Sequence, residues 1–281
     1  MVCIEGIMKH KRFFLTVVLL AVSMSAAGMA LAMDDNTIPS RPQEKSKFFQ
    51  FIMPRAHRST LAVLKFINTS AKETGAHYQP WEYGIAAMLT TDLEETCLFN
   101  IVDRERLNDI LREHQLQQAG LTDPATALAI GKLATARYIL SGSFMVVGQK
   151  LRINVQVFSV EKGILLGAAS ATGRVDQFFL VEKEIFTKVT PVLKVMLDED
   201  KQAKIINAYE TRSVDASLKN YSGEMVLMKA DEMKKTGSLD EIARLMKEAK
   251  KMFEEALQYD PDYERAKTNI ANMVNAIPMT L

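Results

Sequence analysis

The chain has 281 residues, 35 Lys and Arg against 34 Asp and Glu, a formal net charge of +1 and 48 % hydrophobic residues. That composition suits one main globular domain plus a smaller unit, with enough apolar side chains for a real core. A near-neutral balance argues against broad capture of nucleic acid, which needs a basic face to displace counterions.

Residues 1–32 read as a secretory signal peptide. Lys9-His10-Lys11-Arg12 is a basic n-region, 13–27 is the apolar run, and Ala30-Leu31-Ala32 is a small-residue cleavage site. Met8 opens the more natural signal, MKHKRFF, than Met1. The alternative is an uncleaved membrane anchor, for which the run is short against the roughly 20 residues of a span. No cysteine stands at the expected mature N-terminus, so no lipidation site is read there. Cleavage removes Cys3 and leaves Cys97, expected as a buried structural thiol without an internal disulfide.

Residues 33–59 form an irregular leader with Pro39, Pro42 and Pro54, a Phe48-Phe49-Gln50-Phe51 run that packs on the domain or on a neighbour, and a solvated basic cluster of Arg55, His57 and Arg58. The run 61–66 has strand length and is apolar enough for cover on both faces. Residues 68–79 read as a polar loop. Trp81, Ile85, Met88, Leu89 and Leu93 recur at helical spacing as a core stripe. A strand is expected at 99–102, then the corner Asp103-Arg104-Glu105-Arg106, with Asp103 as helix cap and the arginines paired with carboxylates or solvated. Leu107, Ile110 and Leu111 give the next helix its apolar face. Gly120 breaks it, and Asp123-Pro124 starts another helix, closing at Ala136, with Asp at the cap and Pro at its first position.

Three strands follow in a meander. The first ends at the Gly148-Gln149 turn, the second alternates strictly over 151–157, and the third (164–172) follows the Glu161-Lys162-Gly163 turn. Residues 176–209 return to helix, with Pro191 as a kink or break. The tail from Leu218 reads as helix, split at Gly237-Ser238 and at Asp260-Pro261. Its Ala249, Phe253, Ala256 and Pro261 have the spacing of the second helix of a tetratricopeptide unit, overlong here. One such unit cannot bury its own face, so it leans on the domain, another protomer or a partner.

The succession LAVLKFIN, WEYGIAAMLTTDL, FNIVDRERLNDILRE, QQAGLTDPATALAIGKLATARYILSGS and LRINVQVFSVEKGILLGAASATG resembles the domain of the curli production assembly/transport family, the CsgG-type proteins, over about half the chain. The resemblance implies a mixed sheet with helices on it, a place in the outer envelope and a tendency to form rings. Asp103, Arg104, Gly120, Gly131 and Gly142 fall in the matching segments and carry architectural roles. Channel-forming members insert two membrane hairpins in this domain. Here only Val147-Gly148-Gln149-Lys150 joins the first two meander strands, and Gly173-Arg174-Val175 leads straight into helix. Neither junction holds strands of about 9–11 residues.

The expected fold is therefore α/β (α+β): a mixed sheet of about five strands with covering helices, then a small all-helical tetratricopeptide-like segment. The expected divisions are 1–32 signal, 33–59 leader, 60–210 α/β domain and 211–281 helical unit. Gly131-Lys132 lacks the rest of a phosphate loop. His10, His57, His77 and His114 are scattered without metal-ligand spacing, and no nucleophile elbow occurs. No catalytic residue, metal or cofactor is assigned. The expected role is a non-enzymatic periplasmic scaffold or accessory, associated peripherally with the outer membrane, in secretion or surface-fibre assembly. Its expected partners are envelope proteins and further copies of itself, not nucleic acid. Phe253, Tyr259 and Tyr263 are the candidate partner contacts, with packing on the α/β domain as their alternative. A peptide or small-ligand binding module and an outer-membrane pore are the competing roles.

Overall fold

The computed structural model describes residues 58–113, 123–195, 197–234 and 237–276. The signal, nearly all of the leader, Gly120 and His114 lie outside the described residues. Strands β1 (Ser59–Val63) and β2 (Ile67–Asn68) are followed by helices α1 (Lys72–Tyr78) and α2 (Trp81–Glu95). Next come β3 (Phe99–Ile101), α3 (Arg104–Glu113), α4 (Pro124–Leu133) and the meander β4 (Tyr138–Val147), β5 (Lys150–Ser159) and β6 (Ile164–Arg174). Helices α5 (Phe178–Val192), α6 (Glu199–Asn207), α7 (Val214–Met233), α8 (Leu239–Tyr259) and α9 (Glu264–Ala276) complete the chain.

The sheet order is β3-β1-β4-β5-β6, with the short β2 pairing with β4 off that path. β1 runs parallel to both β3 and β4, while β4, β5 and β6 are antiparallel. The mixed α+β fold follows from this order. Parallel neighbours of β1 need helical crossovers, and the meander needs only tight turns. Gly148 and Gly163 supply the turns from the left-handed region, at φ 58° and 66°.

Side chains alternate across the central strand as its continuous apolar run requires. Leu61 and Val63 join the larger core, with Trp81, Phe144, Phe178 and Phe186. Ala62 and Leu64 join a smaller core on the other face, with Leu107 from α3, Ile130 from α4, Ile139 and Phe158. Trp81 stacks on Phe178 with centroids 3.9 Å apart. At Gly142 a Cβ would lie 2.3 Å from the Phe66 ring and 2.5 Å from the Asn154 carbonyl oxygen, so the sheet closes there only over glycine.

Three local expectations are corrected. The loop at 68–79 contains α1. Asn68 holds it in place, donating from Nδ2 to the Gly75 carbonyl (2.8 Å), while its own N–H donates to buried Glu82 (3.0 Å). The helix begun by Asp123-Pro124 ends at Leu133, because Thr135 turns left-handed (φ 52°) before the next strand. Cys97 sits in a left-handed corner (φ 59°) and is half-buried rather than fully buried. Pro191 falls in the last turn of α5, where it closes the helix.

Candidate functional site

Two features stand out among the described residues: the junction that seats α7–α9 on the sheet domain, and β6 as an edge strand of the sheet. At the junction, Gly84 of α2 faces Tyr221 of α7 so closely that a Cβ would stand 2.6 Å from its ring. Arg104, first residue of α3, donates to Glu224 of α7 (3.3 Å) and to the Tyr83 carbonyl (3.2 Å). Arg265 of α9 donates to Glu224 (2.7 Å) and to Glu210 (3.2 Å), and Asn269 donates to Glu224 at 3.2 Å. The Tyr221 hydroxyl donates to Glu210 at 3.3 Å.

Burial pushes the Glu224 carboxyl up, but Arg265, then Arg104 and Asn269, outweigh it and hold the group below the usual carboxylate range. Burial also drives the Tyr221 phenol well above its ordinary value. Glu224 is therefore a largely buried anion with several donors, the arrangement in which such a charge is tolerated. It locks helices from both parts of the chain together.

The corner tetrad divides its work. Asp103 Oδ1 accepts from the Glu105 N–H (2.7 Å) at the start of α3, while Arg104 bridges to the tail. Gly131 of α4 passes over Val160, whose methyl a Cβ would approach to 2.4 Å. Phe253 and Tyr263 are fully buried within the chain, Phe253 against Gly223 of the neighbouring helix. Tyr259 is 53 % exposed. The structure thus leaves Tyr259 as the one of these three aromatics on the surface. The junction residues Glu210, Glu224 and Arg265 escaped sequence reading. Their signal, charges within an otherwise apolar helical pattern, does not name a partner.

β6 is the outer strand of the meander. At its start Ile164, Leu165 and Leu166 are 50 %, 48 % and 37 % exposed. Farther along, Lys188 of α5 donates to the Ser170 carbonyl at 2.7 Å and occupies one edge acceptor. The charged guard covers the middle of the strand and leaves its apolar start open. The β4–β5 turn holds only Gly148 and Gln149, and β6 runs into a 3-10 turn (Val175–Gln177) that meets α5. Among the described residues no helix is long and apolar enough to cross a membrane. None of their His, Cys, Asp and Glu side chains form a group of three placed to hold a metal ion.

Similarity to solved structures is low in sequence. The LpoB C-terminal domain from Salmonella enterica is 18 % identical with a TM-score of 0.30, over 46 % of this chain and 91 % of that one. The lipoprotein GNA1162 from Neisseria meningitidis is 14 % identical with a TM-score of 0.34, over 41 % and 80 %. The PelC dodecamer from Paraburkholderia phytofirmans is 16 % identical with a TM-score of 0.28, over 50 % and 90 %. No curated protein matches the sequence. The family model described as curli production assembly/transport component CsgG matches residues 49–175, from the end of the leader to the close of β6. Over residues 49–175 the chain is thus similar to the curli production assembly/transport component family.

Proposed function

We propose that the chain is a non-enzymatic accessory or scaffold of the cell envelope that works by binding other proteins in secretion or in the assembly of a surface structure. The family match over residues 49–175 carries this reading. The signal-like N-terminus supports export to the periplasm, with peripheral outer-membrane association. The tight Gly148-Gln149 turn and the short passage from β6 to α5 argue for an assembly partner rather than a channel, since neither junction accommodates a membrane hairpin. The helical segment α7–α9, read as a tetratricopeptide-like unit, serves as a second docking element, with Tyr259 as its exposed aromatic. The open start of β6 is the surface for self-association, because an apolar free edge adds strands readily.

Light scattering coupled to size exclusion tests this on the mature protein. A concentration-dependent oligomer that reverts to monomer in the Leu165→Glu variant is expected, and a strictly monomeric wild-type chain at high concentration removes the self-association. Affinity capture from envelope extract, expected to recover secretion or surface-assembly proteins, tests the accessory role separately. Recovery of unfolded peptides alone would favour a peptide-binding module.

A further inference from the structure

Ile164, Leu165 and Leu166 at the start of β6 are the only three consecutive large apolar residues this exposed among the described residues. Successive strand side chains point to opposite faces, so Ile164 and Leu165 leave both faces of the edge apolar. Among the described residues no strand lies beyond β6. The register shifts between Val157 and Phe158 and leaves Leu166 without a partner on β5. Such a bulge interrupts the ladder, so whatever covers this edge is held by side chains more than by backbone pairing. An apolar edge of this kind calls for cover.

The strand register fixes where the leader enters the fold. Leu61 of β1 pairs with Tyr138, Tyr138 with Ser159 and Ser159 with Ile164, so the start of β6 lies level with β1. Three strand spacings separate the two, about 14 Å. Ser59 stands two residues farther back, about 7 Å, which puts it about 16 Å from Ile164. Phe51 precedes Ser59 by eight residues, a reach of up to about 26 Å. The run of Phe48, Phe49 and Phe51 therefore reaches the start of β6 with slack. Two other exposed apolar side chains of the sheet, Met145 and Val147, lie nine and eleven residues along from the level of Ser59, about 30 and 36 Å. The nearer edge strand, β3, presents no exposed large apolar residue. The family match begins at Phe49, ten residues before Ser59, so the matched domain takes in this part of the leader.

We propose that the leader of the same chain is the occupant of this edge. Residues 52–58 cross the end of the sheet, and Phe49 and Phe51 cover Ile164, Leu165 and Leu166. In an extended segment Phe49 and Phe51 fall on one side and Phe48 on the other, so the run can straddle an edge that is apolar on both faces. This is the edge proposed above for self-association, and association there has to displace the leader. The leader contact itself does not depend on that association.

Photocrosslinking of the mature protein, with p-benzoylphenylalanine in place of Phe49 or of Phe51, tests this at dilutions where light scattering gives a monomer. The expected adduct joins either position to a peptide spanning residues 161–174, runs at monomer mass on a denaturing gel and keeps its yield across a tenfold dilution. Leu165→Glu, with the wild-type circular dichroism, should lower that yield at least tenfold. Leu239→Glu, at an exposed leucine of α8, should leave it unchanged. Adducts at dimer mass only, adducts confined to other elements, no adduct from either position, or an undiminished yield in folded Leu165→Glu overturns the proposal. Because the adduct is read in the monomer, a chain that never self-associates can still show the leader contact, and one that associates without the adduct refutes it.

Discussion

Glu182 is a buried and Glu224 a largely buried carboxyl group, and their neighbours drive them in opposite directions. Glu224 has Arg265, Arg104 and Asn269 as donors and is held low against the upward push of burial. Its ionised form stabilises the fold at neutral pH, and that contribution is lost as pH falls through its lowered value. For Glu182 burial and the adjacent Asp92 both push upward, and Asp92 itself is pushed by burial to about 6 despite Lys183. A raised carboxyl contributes in the opposite sense: its stabilisation is complete below the unfolded value and is lost as pH rises through the folded one. Two variants separate these effects in urea unfolding midpoints followed across pH. Arg265→Met leaves the largely buried Glu224 and the half-buried Glu210 short of donors, and should cost about 3 kcal/mol at neutral pH. Glu182→Gln imitates the protonated acid and should flatten the decline in stability toward alkaline pH. An unchanged pH profile in Glu182→Gln would show that Glu182 is ionised throughout. Reading the sequence singled out neither Asp92 nor Glu182, although they follow Met88 by four residues and Phe179 by three within their helices. What it withheld was the pairing across α2 and α5, which only tertiary packing creates.

Elements with a strict period were the legible ones. β5 alternates over its whole length, and α2 carries its stripe from Trp81 to Leu93, so neither needed a partner to be recognised. α1 has no such pattern. It has a glycine at its centre and no side-chain cap at its start, and it exists because Asn68 and Glu82 bind its neighbourhood from outside. Local propensity reads that stretch as loop, and tertiary hydrogen bonds override it. Gly142 is the reverse case, a sequence-marked residue whose reason is visible only in the packed sheet. Gly142→Ala would force its methyl against Phe66 on one side and the β5 backbone at Asn154 on the other. A backbone atom of a central strand cannot yield as a flexible side chain does. The substitution should therefore cost about 3 kcal/mol or more, read from the thermal or urea midpoint. Tolerance of Gly142→Ala within experimental error would mean that the strands separate more easily than this packing allows.

At the scale of the molecule, the change of composition near residue 211 reads as a boundary between an α/β domain and a helical appendage. The packing gives that boundary little thermodynamic weight. Leu218 and Tyr221 of α7 belong to the same buried cluster as Trp81 and Phe178. Gly84 admits the Tyr221 ring, and Glu224 is shared by arginines from α3 and α9. Composition could not reveal this, because α7 packs on the sheet domain through Leu218, Tyr221 and the charged Glu224 and on α8 through Gly223, and so lacks a strong amphipathic period. A shared core predicts shared unfolding. The full chain should lose its helical circular dichroism and its Trp81 fluorescence in one coincident urea transition. Two resolved transitions would mean that the junction is weaker than either part. Removing residues 211–281 should then do more than delete a docking unit: it uncovers Gly84, leaves Arg104 without Glu224 and opens the core beside Trp81. The truncated chain is expected to show a red-shifted Trp81 emission and a lower urea midpoint than the full chain. An unshifted midpoint would show that the tail is an independent module that only rests on the sheet domain.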